Sequence, residues 1–239
     1  MAFHFRQFDV EDERSTQRVG TDAMLLGAWA SPPGEGKILD IGTGCGVLAL
    51  MMAQKTEAII EAIDIDLSSV NEAHGNFRRS PWHARLFAIH APLQVFSENA
   101  KPNYDFIICN PPYFSNSLKS PSARKNLTRH DQSLSLEELI RCVSKILTPN
   151  GSFVLILPAV SCDEFIGSCI KSRMYLKRKL TILPKPALPP IRTLMEFTKT
   201  PSQVGSGLRP VTQNDLTILN SSETFSTEYL ALTTNFHCF

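Results

Sequence analysis

Between residues 37 and 183, short apolar runs alternate with longer segments of helical period, which is the pattern of a parallel sheet with helices packed against it. Strands are predicted at residues 37–41, 59–64, 85–89, 104–109 and 151–157. Helices fit between them. One covers 47–54 after the first strand, and another covers 68–79 after the second and is stopped by Pro81. Ser135-x-x-Glu138 and Ser161-x-x-Glu164 have the spacing of capping boxes and open helices running to Leu147 and Ser172. Beyond Arg173 the chain turns to β-like runs at 177–183 and 193–198, separated by Pro184, Pro186, Pro189 and Pro190, and an antiparallel hairpin at the sheet edge is expected. Before the first strand, Thr21 is placed to cap a short helix over 22–29 that ends at Ser31-Pro32-Pro33. The tail from Ser202 is polar until Tyr229-Leu230-Ala231-Leu232, where a docking helix is expected.

The length of 239 residues suits one domain: a catalytic core over 34–200, an N-terminal extension over 1–33 and a C-terminal tail over 201–239 packed on the core. No apolar run approaches the roughly 20 residues of a membrane span, and Met1-Ala2-Phe3-His4-Phe5-Arg6 does not read as a secretory leader. A cytoplasmic location is therefore expected. The six cysteines form no CxxC or Cys/His ligand pattern, so neither a disulfide framework nor a metal site is expected, and they read as mostly buried thiols. Of the two tryptophans, both read as packing residues.

A formal net charge of +1 gives no polyanion-binding signature by itself. It averages two unlike parts. Residues 1–66 hold 11 acids against five bases, a net of −6, and the remainder carries +7. The basic excess concentrates in two stretches: Lys119, Arg124, Lys125, Arg129 and His130, then Lys171, Arg173, Lys177, Arg178 and Lys179. Each stretch is open to two readings, a solvated face or a binding patch.

Candidate chemistry lies at the strand ends. Asp40-Ile41-Gly42-Thr43-Gly44-Cys45-Gly46 falls where the first strand gives way to a helix, and its glycines let a ligand approach the helix N-terminus. A dinucleotide-binding loop reads GxGxxG; here the spacing is GxGxG and Val47 stands in the third glycine's place, which counts against a nicotinamide oxidoreductase. Preceded by an acid, this loop resembles motif I of the Rossmann-like S-adenosylmethionine-dependent methyltransferases. That resemblance implies that Asp40 lies by the cofactor's amino acid moiety and that Gly42, Thr43, Gly44 and Gly46 line it. Asp64 ends the second strand 18 residues after Gly46, where an acid can accept both hydroxyls of a ribose; Ile65 is included with it in the cofactor site, while Asp66 reads as a helix cap.

Asn110-Pro111-Pro112-Tyr113 follows the fourth strand at its carboxyl end, the ligand-binding edge of an open α/β sheet. Two consecutive prolines fix an extended turn. An exocyclic amine whose lone pair is delocalised is a poor nucleophile and must be oriented rather than deprotonated outright. The Asn110 side-chain oxygen and the Pro111 carbonyl can each accept one N–H, turning the nitrogen lone pair toward a sulfonium methyl. Tyr113 offers a flat surface to a substrate ring. The tetrapeptide resembles motif IV of amino-group N-methyltransferases, a motif shared by enzymes acting on DNA or RNA adenine, on guanine N2 in RNA and on protein glutamine.

Resemblance outside these motifs narrows the choice. Phe5-Arg6-Gln7-Phe8 and the stretch Arg18-Val19-Gly20-Thr21-Asp22-Ala23-Met24-Leu25-Leu26-Gly27-Ala28-Trp29 look like the N-terminal signature of the bacterial tRNA(Val) adenine-37 N6-methyltransferase family, and Arg192-Thr193-Leu194-Met195-Glu196-Phe197 and Tyr229-x-x-Leu232-Thr233-x-x-Phe236 follow in that family's order. The resemblance spans nearly the whole chain. It implies a class I methyltransferase fold, with a mostly parallel seven-stranded sheet, an antiparallel edge hairpin and helices on both faces. It also implies S-adenosylmethionine as cofactor, no metal, tRNA as partner, and Asn110, Pro111, Pro112 and Tyr113 as the catalytic tetrapeptide, Asn110 touching the cofactor too. Lys119, Arg124, Lys125 and Arg129, directly after that tetrapeptide, are candidates for gripping tRNA phosphates. One departure stands out: Ile89-His90-Ala91-Pro92-Leu93 lacks the acid that related enzymes often place near the cofactor adenine.

Overall fold

The computed structural model describes residues 2–98, 101–111, 134–201, 203–204, 207–208 and 211–237. The chain opens with an antiparallel hairpin, β1 (Ala2–His4) and β2 (Asp9–Glu11), followed by an irregular segment and α1 (Thr21–Trp29). Then come β3 (Lys37–Ile41), α2 (Val47–Ala53), β4 (Ile59–Asp64), α3 (Leu67–Arg79), β5 (Leu86–His90), α4 (Leu93–Glu98) and β6 (Tyr104–Cys109). After the tetrapeptide region, α5 (Leu136–Ile146), β7 (Leu147–Pro158), α6 (Cys162–Lys171), β8 (Tyr175–Leu183) and β9 (Arg192–Thr198) complete the core. The tail contributes a two-residue ribbon of β10 (Gln203–Val204) and β11 (Gly207–Leu208), then β12 (Thr212–Thr217) and α7 (Thr227–Thr233).

The main sheet has the order β12-β8-β9-β7-β6-β3-β4-β5. Strands β5, β4, β3, β6 and β7 are parallel neighbours, while β9 runs antiparallel to both β7 and β8. The fold is thus the mostly parallel, helix-covered sheet expected of a class I methyltransferase, with eight strands where seven were expected. The eighth is β12, which pairs in parallel with β8, so the antiparallel hairpin is one strand in from the edge. Its sequence, Thr-Gln-Asn-Asp-Leu-Thr, buries only Leu216 (6% exposed), and an edge strand open to water on one side needs no alternating apolar pattern.

Strand alternation divides the interior into two layers. Along β6 and β7, Phe106, Ile108, Val154 and Ile156 face one core with α1, α2, α3 and α7; Ile107, Cys109, Phe153, Leu155 and Leu157 face the other with α4, α5 and α6. Neither layer contains a helix long and apolar enough to cross a membrane among the described residues. Both tryptophans pack: Trp82 lies edge-on to Phe8 with ring centroids 5.6 Å apart, and Trp29 carries the Arg178 guanidinium 3.8 Å above its ring.

Local signals decide the helix ends unevenly. The Ser135–Glu138 capping box forms, with the Ser135 hydroxyl 3.2 Å from the Glu138 amide and the Glu138 carboxylate 3.0 Å from the Ser135 amide. The box read at Ser161 does not. A 3₁₀ turn over Ala159–Ser161 leads directly into α6, holding Ser161 in the helical region (φ −95°, ψ −3°), from which its side chain makes no capping bond. At α1 the N-cap is Gly20, in extended conformation, and Thr21 is the first helical residue instead of the cap. Ser226 caps α7 through the Tyr229 amide, which brings the tail helix onto the core as expected.

Candidate active site

The chain runs outward from β3 through β4 to β5, then returns to the other side of β3 to lay down β6 and β7, so the order in which the parallel strands are added reverses between β3 and β6. Loops leaving the carboxyl ends of strands on either side of such a reversal must diverge, and a crevice opens there. Ile41 and Cys109 are register partners at these two ends, and Ile63 pairs with Ile41 on the other side. The residues that follow these three positions, Gly42, Asn110 and Asp64, therefore emerge side by side.

The loop 42–46 is pinned from below. The Gly42 and Thr43 amides both donate to the Ile63 carbonyl (2.9 and 3.0 Å), and the Gly46 amide to Thr43 (2.9 Å). Its glycines hold φ of +70°, +55° and +86°, values that side chains rarely adopt. They answer to different constraints. A Cβ at Gly44 would meet nothing within 4 Å, so the loop is open on that side, whereas one at Gly46 would lie 2.5 Å from the Phe77 ring, where the loop must close against α3.

Asp40 lies beneath this loop with no exposure at all. Burial pushes its carboxyl up to about 7, against the opposing effect of the Thr43 hydroxyl, which donates to Oδ2 at 2.6 Å. Oδ1 has no hydrogen-bond partner. Asp40 does not itself line the crevice; Thr43 does, and connects the two. At the end of β4, Asp64 is 8% exposed and accepts from the Gly44 amide (2.8 Å) and the Asp66 amide (2.9 Å). Asp66 caps α3 as expected, accepting from the Ser69 amide and hydroxyl, both at 2.8 Å, which hold its carboxyl below the usual range.

These elements enclose a crevice lined by Gly42, Thr43, Gly44, Cys45, Asp64, Ile65 and Asp66 on one side and by Asn110, Pro111, Leu134, Leu136 and Leu139 on the other. Ala91, Pro92, Leu93 and Gln94 close one end, so a neutral amide stands in the region where an acid was missing from the sequence. Gly46 supports the loop from behind and is not part of the lining. Cys45 lines the crevice, but burial pushes its thiol up to about 12, which leaves it a protonated filler and no nucleophile. His90, outside the lining, has Nε2 2.9 Å from the Ile65 carbonyl. A second cavity adjoins the first and shares Gln17, Arg18, Ala23 and Asn110 with it; its far wall holds Asp22, Ile191, Arg192 and Ile218, with the Arg192 guanidinium paired to Asp22 at 3.1 Å. Asn110 thus stands where the two cavities meet. Pro112, Tyr113, Lys119, Arg124, Lys125 and Arg129 lie outside the described residues.

Comparison with known proteins matches residues 15–161 to the methyltransferase small domain family. A tRNA1(Val) (adenine(37)-N6)-methyltransferase of Bacteroides fragilis is 38% identical over 98% of this chain and 97% of its own length, and one of Trichodesmium erythraeum is 34% identical over 98% and 97%. The chain belongs to this methyltransferase family. Among solved structures, a predicted O-methyltransferase from Agrobacterium tumefaciens superposes with a TM-score of 0.69 over 90% of this chain and 96% of that one, at 22% identity. A geranyl diphosphate C-methyltransferase of Streptomyces coelicolor, solved with S-adenosyl-L-homocysteine, gives 0.54 over 74% and 77%, at 10% identity. At such identities these two structures speak to the fold.

Membership leaves two features that the sequence reading did not find. One is the segment before α1, whose Thr16, Gln17 and Arg18 line the crevice. The family signature beginning at Arg18 carried no role for this segment, and its conformation is held by Ser69, Glu72 and Asn76, which share one buried face of α3. The other concerns the second basic stretch. A register shift between Leu176 and Arg178 inserts Lys177 as an extra residue in β8, and both Lys177 (2.8 Å) and Arg178 (2.5 Å) reach Glu196, which is 2% exposed. Burial alone would raise the Glu196 carboxyl; the hydrogen bonds from Lys177 and Arg178 overcome it and hold the group below its usual range. Two of the five bases in that stretch are therefore paired with a buried carboxylate of the protein itself.

Proposed function

We propose that the protein methylates N6 of an adenosine in a tRNA anticodon loop, position 37 of tRNA1(Val), with S-adenosylmethionine as methyl donor. The observation that carries this reading is the near full-length similarity to enzymes named for that reaction, at 32–38% identity over 98–99% of the chain.

The residues at the crevice fit the cofactor. The open space over Gly44 is what a ligand-binding cradle leaves behind, and Thr43 connects that space to the buried Asp40 carboxylate. In this reading Asp64 would accept the ribose hydroxyls, and Ile65 and Gln94 would flank the adenine; all three line the crevice. Thr43 donates its proton to Asp40 and lines the crevice, so its oxygen would be free to accept from the ammonium of the methionine part. When bound, the cofactor supplies a methyl group activated on a sulfonium. Asn110 and the Pro111 carbonyl accept the two N–H bonds of the adenine amine and set its lone pair toward that methyl, with Pro112 and Tyr113 completing the tetrapeptide. A loop base is already unpaired, so moving it into a pocket costs less than extruding one from a duplex. A tRNA substrate implies a cytoplasmic enzyme, and the bases at 119, 124, 125 and 129 are the candidates for flanking phosphate contacts.

The test is incubation of the purified chain with methyl-labelled cofactor and separate pools of tRNA, DNA and protein. Label should enter tRNA and map to adenosine 37; label entering DNA or protein instead overturns the reading. Asn110→Ala should lower transfer by about 100-fold or more while cofactor affinity changes little. Equal loss of both would remove Asn110 from the reacting centre.

A further inference from the structure

Residues 12–19 cross the mouth of the crevice without regular secondary structure, yet three consecutive amides, those of Arg14, Ser15 and Thr16, are fastened to α3. Glu72, 6% exposed, accepts the Arg14 amide at 2.9 Å and the Ser15 amide at 2.7 Å through its two carboxylate oxygens. The Ser69 hydroxyl accepts the Thr16 amide at 3.3 Å, and Asp12 closes the segment on itself by accepting the Val19 amide at 2.9 Å. One turn further along α3, the fully buried Asn76 accepts the Glu11 amide (2.9 Å), donates to the Glu11 carbonyl (2.8 Å) and donates to the Cys45 carbonyl in the glycine loop (2.7 Å). A buried carboxylate and a buried amide on one helix face are costly unless every polar atom is matched. Here the matching partners are the strap's backbone and the loop that cradles the ligand, so α3 sets the position of each relative to the other.

The strap brings Arg18 to the crevice. Among the described lining residues Arg18 is the one cation; Asp64 and Asp66 are acids, and Asp40 lies behind Thr43. A ligand bearing an α-amino acid carries a carboxylate, and a carboxylate entering a site with this excess of acids needs a counter-charge.

We propose that Arg18 binds the carboxylate of the ligand's α-amino acid moiety, and that Ser69, Glu72 and Asn76 are positioning residues that hold it over the crevice. The proposal rests on the reading that this crevice takes S-adenosylmethionine. It can be tested on binding alone, by calorimetry with S-adenosylhomocysteine, which has the amino acid part, and 5′-methylthioadenosine, which lacks it. Arg18→Gln should weaken the first by roughly tenfold or more, the loss expected of a charge-assisted hydrogen bond, and leave the second within about twofold. Arg18→Lys should restore part of the loss. Glu72→Gln should weaken the first compound selectively, and its effect should largely vanish in the Arg18→Gln background, because both act through one contact. Arg18 is exposed, so its substitution leaves the core untouched. Equal weakening of both compounds by Arg18→Gln, or no weakening of either, overturns the assignment. Wild-type protein that binds neither compound overturns the cofactor reading itself.

Discussion

Asp40 should make the protein's stability fall as pH rises toward neutrality, opposite to the usual behaviour of carboxylates. Its carboxyl is wholly buried, and the desolvation that raises it from 3.8 to about 7 is only partly offset by the Thr43 hydroxyl on Oδ2 and by the Ala49 backbone amide. The difference corresponds to about 4 kcal/mol between the two protonation states. Between about pH 4 and pH 7 the native protein holds a proton that the unfolded chain has released. The stabilisation is therefore complete at the acidic end of that window and is lost as pH rises through about 7. Asp40→Asn removes the titration while keeping size and shape. Urea unfolding of both proteins at a series of pH values should show the wild type gaining about 2 kcal/mol relative to the variant between pH 7.5 and 5.5, from about 1.4 kcal/mol per pH unit below the transition. A gap that is constant over that range would refute the reasoning, since it would mean that Asp40 titrates alike in both states. Binding supplies a second measurement. An ammonium held at Thr43 favours ionised Asp40, so the affinity for S-adenosylhomocysteine should weaken below pH 7 by up to about tenfold per unit in the wild type and much less in Asp40→Asn.

Other expectations follow from single contacts. Glu196→Ala leaves Lys177 and Arg178 facing a buried gap and should destabilise by about 2–4 kcal/mol. Because the wild-type carboxyl is held below its ordinary value, the wild-type advantage over Glu196→Ala should be present at neutral pH and shrink as pH falls below about 4.5. Gly46→Ala places a methyl 2.5 Å from the Phe77 ring at φ +86° and should cost about 2 kcal/mol or more, seen as a lowered midpoint of thermal unfolding and weaker cofactor binding. The same change at Gly27 presses only on the flexible Met51 side chain and should cost less. Replacing Arg124, Lys125 and Arg129 together by Ala should weaken tRNA binding and reduce the slope of log affinity against log salt by about 2–3. An unchanged slope returns that stretch to a solvated face.

What could be read from the sequence was whatever local pattern controls. The five core strands are nearly continuous apolar runs, and their ends are set within a residue or so by glycines, acids and the tetrapeptide, except that β7 begins at Leu147, four residues before the expected start. The glycine loop, Asp64 and Asn110 were legible for the same reason: topology requires that these strand ends meet, whatever the side chains elsewhere. β12 was not legible, because an exposed edge strand carries a polar sequence indistinguishable from a loop. Nor was the strap over the crevice, whose conformation is decided by Ser69, Glu72 and Asn76, more than 50 residues away. Ser161 shows the converse, a correct motif spacing defeated by the backbone that precedes it.

Charge shows most plainly how far a one-dimensional count reaches. The sum of +1 dissolves into an acidic first part and a basic remainder, which invites assigning the acids to a cationic cofactor and the bases to RNA. Neither half stays with its assignment. On the basic side, the bulge in β8 turns Lys177 and Arg178 onto Glu196, and Arg178 also stacks on Trp29. On the acidic side, Asp12 binds a backbone amide of the strap, Asp66 caps a helix, and the segment's own Arg18 lines the crevice. A charge that satisfies a buried partner no longer contributes to attraction at a distance. The candidates for phosphate contacts are therefore Lys171, Arg173 and Lys179 of the second stretch together with the bases at 119–129, and the salt dependence of tRNA binding in variants of each stretch is the measurement that separates them.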